Sequence, residues 1–408
     1  MTEYANTPEL RFPEFKDEWK LQKLGNLAQF SKGKSLSKKD LNINGNPCIL
    51  YGELYTKYGA ILNKVYSKTS TQNDSLVFSK RNQILIPSSG ETDIDIATAT
   101  AVDTDVKIAI GGDLNIITPI NSDGRFISLY INGKGKYNLA KYAQGKSVVH
   151  LYNSDIKKLN FYLPTNVVEQ KKIGNFFSKL DRQIELEEEK LELLEQQKKG
   201  YMQKVFSQEL RFKDENGNDY PDWKLKKLSN VADIIGGGTP STKKSEYWDG
   251  DINWFSPVEI GDKEFVSTSQ RRITEKGLEK SSAKMLPIGT VLFTSRAGIG
   301  KTAILSKEAT TNQGFQSIVP KENDLDSYFL YSMTSILKRK AEKVGAGSTF
   351  SEVSRKQMEQ IKLLIPILKE QKQIGRLFQI INRKINKQIH KIELLKHRKQ
   401  GLLQKMFV

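Results

Sequence analysis

The sequence is poor in the residues from which metal sites and covalent chemistry are built. Its 408 residues contain one cysteine, Cys48, and three histidines, His150, His390 and His397. A single cysteine excludes an intramolecular disulfide framework and a cysteine-rich zinc site. Three scattered histidines do not make a histidine-rich one. No apolar run approaches the roughly 18 residues that a membrane-crossing helix needs, and no secretory signal opens the chain, so a soluble, cytoplasmic protein without a membrane partner is expected. Acid is in deficit as well: 47 Asp and Glu stand against 64 Lys and Arg, a formal charge of +17. The basic residues are spread along the chain rather than gathered in a tail. That favours folded basic faces and a polyanionic partner, nucleic acid before membrane.

Motifs of catalysis are also missing. The stretch RAGIGKT, Arg296–Thr302, imitates a phosphate-binding loop, but the position five before Gly300 is Ser295 and not the required glycine. A turn between strands, whose glycines let the backbone approach a partner, fits it better. GGGTPS, Gly236–Ser241, lacks dinucleotide-binding spacing and reads as a flexible loop. No Ser/His/Asp or Cys/His arrangement stands out, nor an Asn-Pro-Pro-aromatic motif of amino-methyltransferases. Neither catalysis by this chain alone nor a cofactor or metal held by it is expected.

What is present is a helix written twice. Apolar positions recur at Ile173, Phe177, Leu180, Ile184, Leu191, Leu194, Tyr201 and Val205, with Glu187 and Lys198 as polar members. Steps of four and three make this a heptad seam over Leu163–Ser207, the pattern of a coiled coil. The seam returns at Ile374, Phe378, Ile381, Ile385, Ile392, Leu395, Leu402 and Met406, each 201 residues after its twin (374 − 173), and Gln388 and Lys399 repeat the polar breaks. The flanks repeat too: LPTNVVEQKKIG echoes IPILKEQKQIG, and KKGYMQKVF echoes KQGLLQKMF. Shared register, breaks and flanks identify an internal duplication.

The rest of the chain follows the same period. A lead-in, Leu10–Leu24, returns as Leu210–Leu228, with Trp19 and Trp223 as anchors of each body and Pro13 and Pro221 making the segments extended and turn-like. Runs at 82–89, 106–110 and 114–120 read as strands, as do 289–296, 301–306 and 315–320. A helix is expected from Arg125, broken by Gly133 and Gly135, and another over Leu325–Val344. Small-residue turns, QGKS (Gln144–Ser147) and AGST (Ala346–Thr349), lead back to the long helices. The expected architecture is α+β: lead-in 1–20, body 21–162, spacer helix 163–208, linker 209–222, body 223–364 and spacer helix 365–408, the helices packing as an antiparallel pair with pseudo-two-fold symmetry. The bodies have diverged while the frame has not.

Clusters of basic and aromatic residues in polar loops suit nucleic acid, since cations neutralise phosphates and Arg or Lys reaches base edges. In the first body the candidates are Lys32, Lys34, Lys38, Lys39, Tyr51, Tyr55, Tyr58 and Lys146. In the second they are Lys243, Lys244, Trp248, Arg271, Arg272, Arg296 and Lys301.

The order of lead-in, variable body, LP…EQ and heptad helix, stated twice, resembles the specificity subunit of type I restriction-modification enzymes. The resemblance extends to DINWFSPVEIGD (Asp251–Asp262) with its echo NPCILYGELY (Asn46–Tyr55), to SRAGIGKTAI (Ser295–Ile304), GDLNIITP (Gly112–Pro119) and NQGFQSIVP (Asn312–Pro320). The first body departs from it at PSSGETDIDIA (Pro87–Ala97), which lacks the Gly-Lys of the second. The resemblance implies two target recognition domains, each reading one half of a bipartite site in double-stranded DNA. It implies a helix pair that sets the spacing and docks two modification subunits, adenine methyltransferases that carry S-adenosylmethionine. Motor-nuclease subunits using ATP and magnesium would complete a restriction complex. About 33 residues of paired helix span roughly 50 Å, which suits major-groove sites at least one turn apart. The rival from another class is a coiled-coil scaffold whose bodies bind protein.

Overall fold

The structure, a computed structural model, describes residues 6–72, 75–296, 298–345 and 352–408. The short apolar runs form central strands. Ile84–Pro87 is buried at every position and lies in the middle of a five-stranded sheet, in the order Ala28–Lys32, Leu114–Pro119, Ile84–Pro87, Thr100–Val102, Ile61–Leu62. A second such sheet runs Ala232–Gly236, Gln316–Pro320, Val291–Phe293, Thr302–Leu305, Phe265–Val266. In both, the last pair is parallel and the others antiparallel.

A three-stranded sheet accompanies each. In one, β1 (Leu41–Ile49) pairs antiparallel with β2 (Ser67–Thr69) and parallel with Ala109–Ile110; in the other, β3 (Trp248–Phe255) pairs the same way with β4 (Arg271–Ile273) and with Thr310–Thr311. A bulge recurs at the same point, one residue longer in the first sheet: Leu41 and Asn46 both oppose Thr69, as Trp248 and Ile252 both oppose Ile273.

Two corrections concern helices. Leu163 does not begin the long helix but closes a strand, Asn160–Leu163, which pairs with Lys20–Lys23; helix α1 spans Val167–Phe206, beyond Pro164. The second body's single expected helix is two, Ser327–Ser332 and Thr334–Gly345. The hydroxyls of Ser332 and Thr334 donate back to the carbonyls of Tyr328 and Tyr331, a competition with the helical ladder that bends or interrupts it. The helix from Gly124 does break after Asn132, resuming at Lys136.

The chain divides into two compact units, Met1–Leu191 with Gln388–Val408, and Glu192–Lys387. The division falls inside α1 and inside the last helix, α2 (Leu368–Lys405), so each unit owns a stretch of both. In the first unit Ile173, Phe177, Leu180 and Ile184 are buried, with Leu395, Leu402 and Met406 in the same core. Here Glu187 meets Gln388 (2.7 Å) and Lys391 (2.5 Å), Glu188 meets Lys396 (2.6 Å), and Asp181 meets Lys399 (2.5 Å). The earlier Asp181 meets the later Lys399 while the later Glu187 meets the earlier Gln388, so the pair is antiparallel. Ile392 of this unit and Ile374, Phe378, Ile381 and Ile385 of the second are buried as the seam requires, whereas Leu191 and Leu194 are half-buried.

The motifs that lead into each helix have one purpose in both units. The Glu169 carboxylate, 1% exposed, accepts from Arg11 Nε (2.6 Å), Arg11 Nη2 (2.8 Å) and Trp19 Nε1 (3.3 Å). Glu370, 0% exposed, holds Arg211 (2.9 Å twice) and Trp223 Nε1 (3.2 Å) in the same way. The next residue caps the body: Gln170 Oε1 accepts from the Asp123 amide, and Gln371 Oε1 from the Asp326 amide. Last, the helix ends are plugs. Phe407 is fully buried against Trp19, Phe126, Tyr130 and Phe177. Its twin Phe206 packs on Trp223, Phe329 and Phe378.

Candidate nucleic-acid interface

In the second unit the small sheet organises the basic candidates. Trp248 and Trp254 on β3 meet edge to face, centroids 5.1 Å apart. Their indole N–H groups tie down the glycine-rich loop: Trp254 Nε1 donates to Gly238 O (2.8 Å) and Trp248 Nε1 to Ser241 O (3.2 Å). Gly237 in that loop is obligatory, since a Cβ there would lie 2.0 Å from the Asn312 carbonyl. GGGTPS is thus a loop pinned at two carbonyls, not a free one. Trp248 is buried, so its ring is not the exposed face expected of it; it lies beneath a residue that is exposed. The Arg271 guanidinium lies 3.6 Å from the Trp248 ring centroid.

Arg272, Lys243 and Lys244 are exposed beside it, Lys244 donating to the Tyr247 hydroxyl (3.2 Å). Lys301 is exposed at the end of the turn between Val291–Phe293 and Thr302–Leu305. That turn joins antiparallel strands and not a strand to a helix, which removes the context of a phosphate-binding loop. Gly298 and Gly300 adopt φ of +108° and +92°, values that favour glycine. Arg296 is half-buried at its start. Lys301 lines a cavity of about 440 Å³ with Lys198, Asp262, Lys338 and Tyr331. Burial lowers the Lys198 ammonium from its usual range, against the pull of Glu264 and Glu195, and pushes the Tyr331 hydroxyl up to about 12, with Glu264 adding to it.

In the first unit the equivalent loop carries Lys32 and Lys34 on either side of Gly33, whose Cβ would lie 2.0 Å from the Gly111 carbonyl. Both lysines are exposed, Lys32 lying 5.7 Å from the centre of the Tyr152 ring. Lys38 and Lys39 sit on a single 3-10 turn, Lys38–Asp40, capped through Ser37 and Asp40. Lys38 and Tyr51 share a cavity of about 380 Å³ with Lys57 and Glu53. Tyr55 is half-buried, and burial raises its hydroxyl pKa. Tyr58 is pushed up to about 12 by burial and accepts from the Tyr66 amide. Lys146 is exposed on a separate turn in which Gly145 has φ of +124°; the matching turn at 346–349 lies outside the described residues. Cys48 is buried and its thiol pushed up to about 11, far from a nucleophile's range.

Residue reasoning missed Trp254, the second half of the platform. The signal was available as two tryptophans six apart within one strand, WDGDINW. No group of three His, Cys, Asp or Glu side chains is placed to hold a metal among the described residues, and no described helix is long and apolar enough to cross a membrane.

Comparison with known proteins gives a consistent result. The family model for the type I restriction modification DNA specificity domain matches twice, at residues 16–196 and 220–395. The chain is similar to the MjaIX specificity subunit of Methanocaldococcus jannaschii, 37% identical over 174 residues, 42% of this chain and 40% of that protein. It is 34% identical over 161 residues to the EcoR124I/EcoR124II specificity subunit of Escherichia coli, 38% of this chain and 39% of that one. These matches therefore span about two-fifths of the relatives' lengths. Similarity to the MjaVIII specificity subunit of M. jannaschii is 24% over 422 aligned residues, 97% of this chain and 93% of that protein. In fold it is like the S subunit of a type I restriction-modification system from M. genitalium, with a TM-score of 0.64 at 17% identity over 98% of this chain and 99% of that one.

Proposed function

The chain belongs to the type I restriction-modification DNA specificity family, and from that premise we propose that it is the non-catalytic DNA-recognition subunit of a cytoplasmic restriction-modification complex. Each body reads one half of a bipartite site in double-stranded DNA. The observation that carries this reading is the pair of small sheets. They share strand pairing and register, with a bulge at the same point in each, yet differ at the exposed and supporting positions, as two readers of different half-sites should. The helix pair sets the distance between half-sites and docks two modification subunits. S-adenosylmethionine, ATP and magnesium belong to the partners. A net charge of +17 favours this over a protein-binding scaffold, because a phosphate partner releases counterions and makes binding steeply salt-dependent.

The test is exchange of residues 223–366 for the corresponding segment of a relative with a different target, followed by sequencing of methylated adenines in cells that carry the partner subunits. One half of the methylated sequence should change and the other persist. A change in both halves together would sink the modular reading.

A further inference from the structure

We propose that Arg271 reads a guanine in the half-site recognised by the second unit, held in reading position by Trp248; this rests on the function proposed above. The duplication supplies an internal control. Register equates Trp254, opposite Arg271 and beside Thr310, with Cys48, opposite Ser67 and beside Ala109. Beyond the bulge, which is one residue longer in the first unit, Leu41 opposes Thr69 as Trp248 opposes Ile273, so the two hold corresponding places. On one scaffold the first unit therefore carries Leu41, Cys48 and Ser67, and the second carries Trp248, Trp254 and Arg271.

The two sets are used differently. Ser67 faces inward: its hydroxyl donates to Glu53 Oε1 (2.5 Å). Glu259, the counterpart of Glu53, is occupied by Ser256 and by the Gln270 amide (2.6 Å) and takes nothing from Arg271. The Arg271 guanidinium makes no hydrogen bond or ion pair among the described residues, whereas Arg11, Arg81, Arg125 and Arg211 are committed to carboxylates. One face of it is covered by the indole and its N–H edge is free. Trp248 in turn is fixed by its bond to Ser241 O and by Trp254.

A stacked guanidinium loses little freedom on binding, because the platform has already restricted it. With two parallel donors it matches the N7 and O6 acceptors that guanine alone presents side by side in the major groove. Lysine, a point charge on a flexible stem, cannot reproduce that fork.

The experiment uses the full chain assembled with its modification subunits and a pool of DNA duplexes with randomised positions. Wild type should select a bipartite consensus with a guanine in the half that exchange of residues 223–366 alters. Arg271→Ala and Arg271→Lys should relax that position alone, by roughly ten- to a hundred-fold in preference over the other bases, and leave the other half sharp. Arg271 is exposed, so both variants should fold, which a thermal midpoint checks. Trp248→Leu, which copies the first unit, should relax the same position to a smaller degree. If Arg271→Ala leaves every position as sharp as wild type, the inference is overturned while the function proposed above stands. A uniform loss of affinity with unchanged base preference also overturns it, making Arg271 a phosphate contact. If wild type selects no consensus at all, the recognition reading fails, and this inference with it.

Discussion

The side chains that hold each unit together are a carboxylate, an arginine and a tryptophan brought from about 150 residues apart: Arg11, Trp19 and Glu169 in one, Arg211, Trp223 and Glu370 in the other. Glu370 is the buried member; removing it leaves the Trp223 N–H unpaired and Arg211 with hydrogen bonds only to the Tyr220 and Pro221 carbonyls, and losing such charge-assisted hydrogen bonds costs about 1.5–3 kcal/mol. Glu370→Ala is therefore expected to lower stability by about that amount in denaturant unfolding, while its exposed neighbour Lys369→Ala should change it by under about 0.5 kcal/mol. Equal midpoints for the two variants would remove the anchoring role. Both tryptophans were legible as anchors in the sequence, because the duplication singles them out. Their carboxylate partners were not, although the EQ pair was visible as a repeated motif: nothing local to Glu169 says that its ligand is Arg11. The burial of Trp248 is hidden in the sequence for a related reason. A tryptophan among lysines looks like part of a binding surface until the strand opposite places an arginine on its face.

At the scale of elements, the long helices were the most legible part of the chain. Seam positions come at short intervals, so a 40-residue helix, Val167–Phe206, repeats its signal many times. The body strands are two to nine residues long and too short for periodicity to separate them from turns. The polar breaks of the seam acquire a purpose in the structure: Glu187 and Gln388, twins in the duplication, bond to one another. A polar pair inside an apolar seam disfavours slipped registers, because slippage leaves the buried Gln388 without its partner. Inserting seven residues into each helix, between Leu180 and Leu194 and between Ile381 and Leu395, keeps every seam position in phase. It adds about 10 Å at 1.5 Å per residue, so the gap between methylated half-sites should grow by about three base pairs at 3.4 Å each. Four residues instead should turn the apolar stripe out of contact and destabilise the protein. A stable seven-residue insertion with an unaltered gap in the methylated sequence would show that the helices do not set the spacing.

For the molecule as a whole, the duplication extends to its hydrogen bonds. The Leu10 amide donates to the Lys405 carbonyl (2.9 Å), and the Leu210 amide donates to the Lys204 carbonyl (3.0 Å). These are the same junction between a helix end and the following lead-in, each beside its own phenylalanine plug. At 204–210 the chain passes through it; at 405 and 10 two separate segments meet across it. The packing at this junction is thus the same whether or not the backbone runs through it. Joining Val408 to the lead-in through a short flexible linker, and opening the chain between Ser207 and Leu210, should give a circular permutant. Its helix content and unfolding midpoint should be close to those of the parent, and in cells it should direct methylation to the same sequence. Failure of the permutant to fold would mean that the covalent turn at 207–210, and not the packing around Phe206, holds that junction closed.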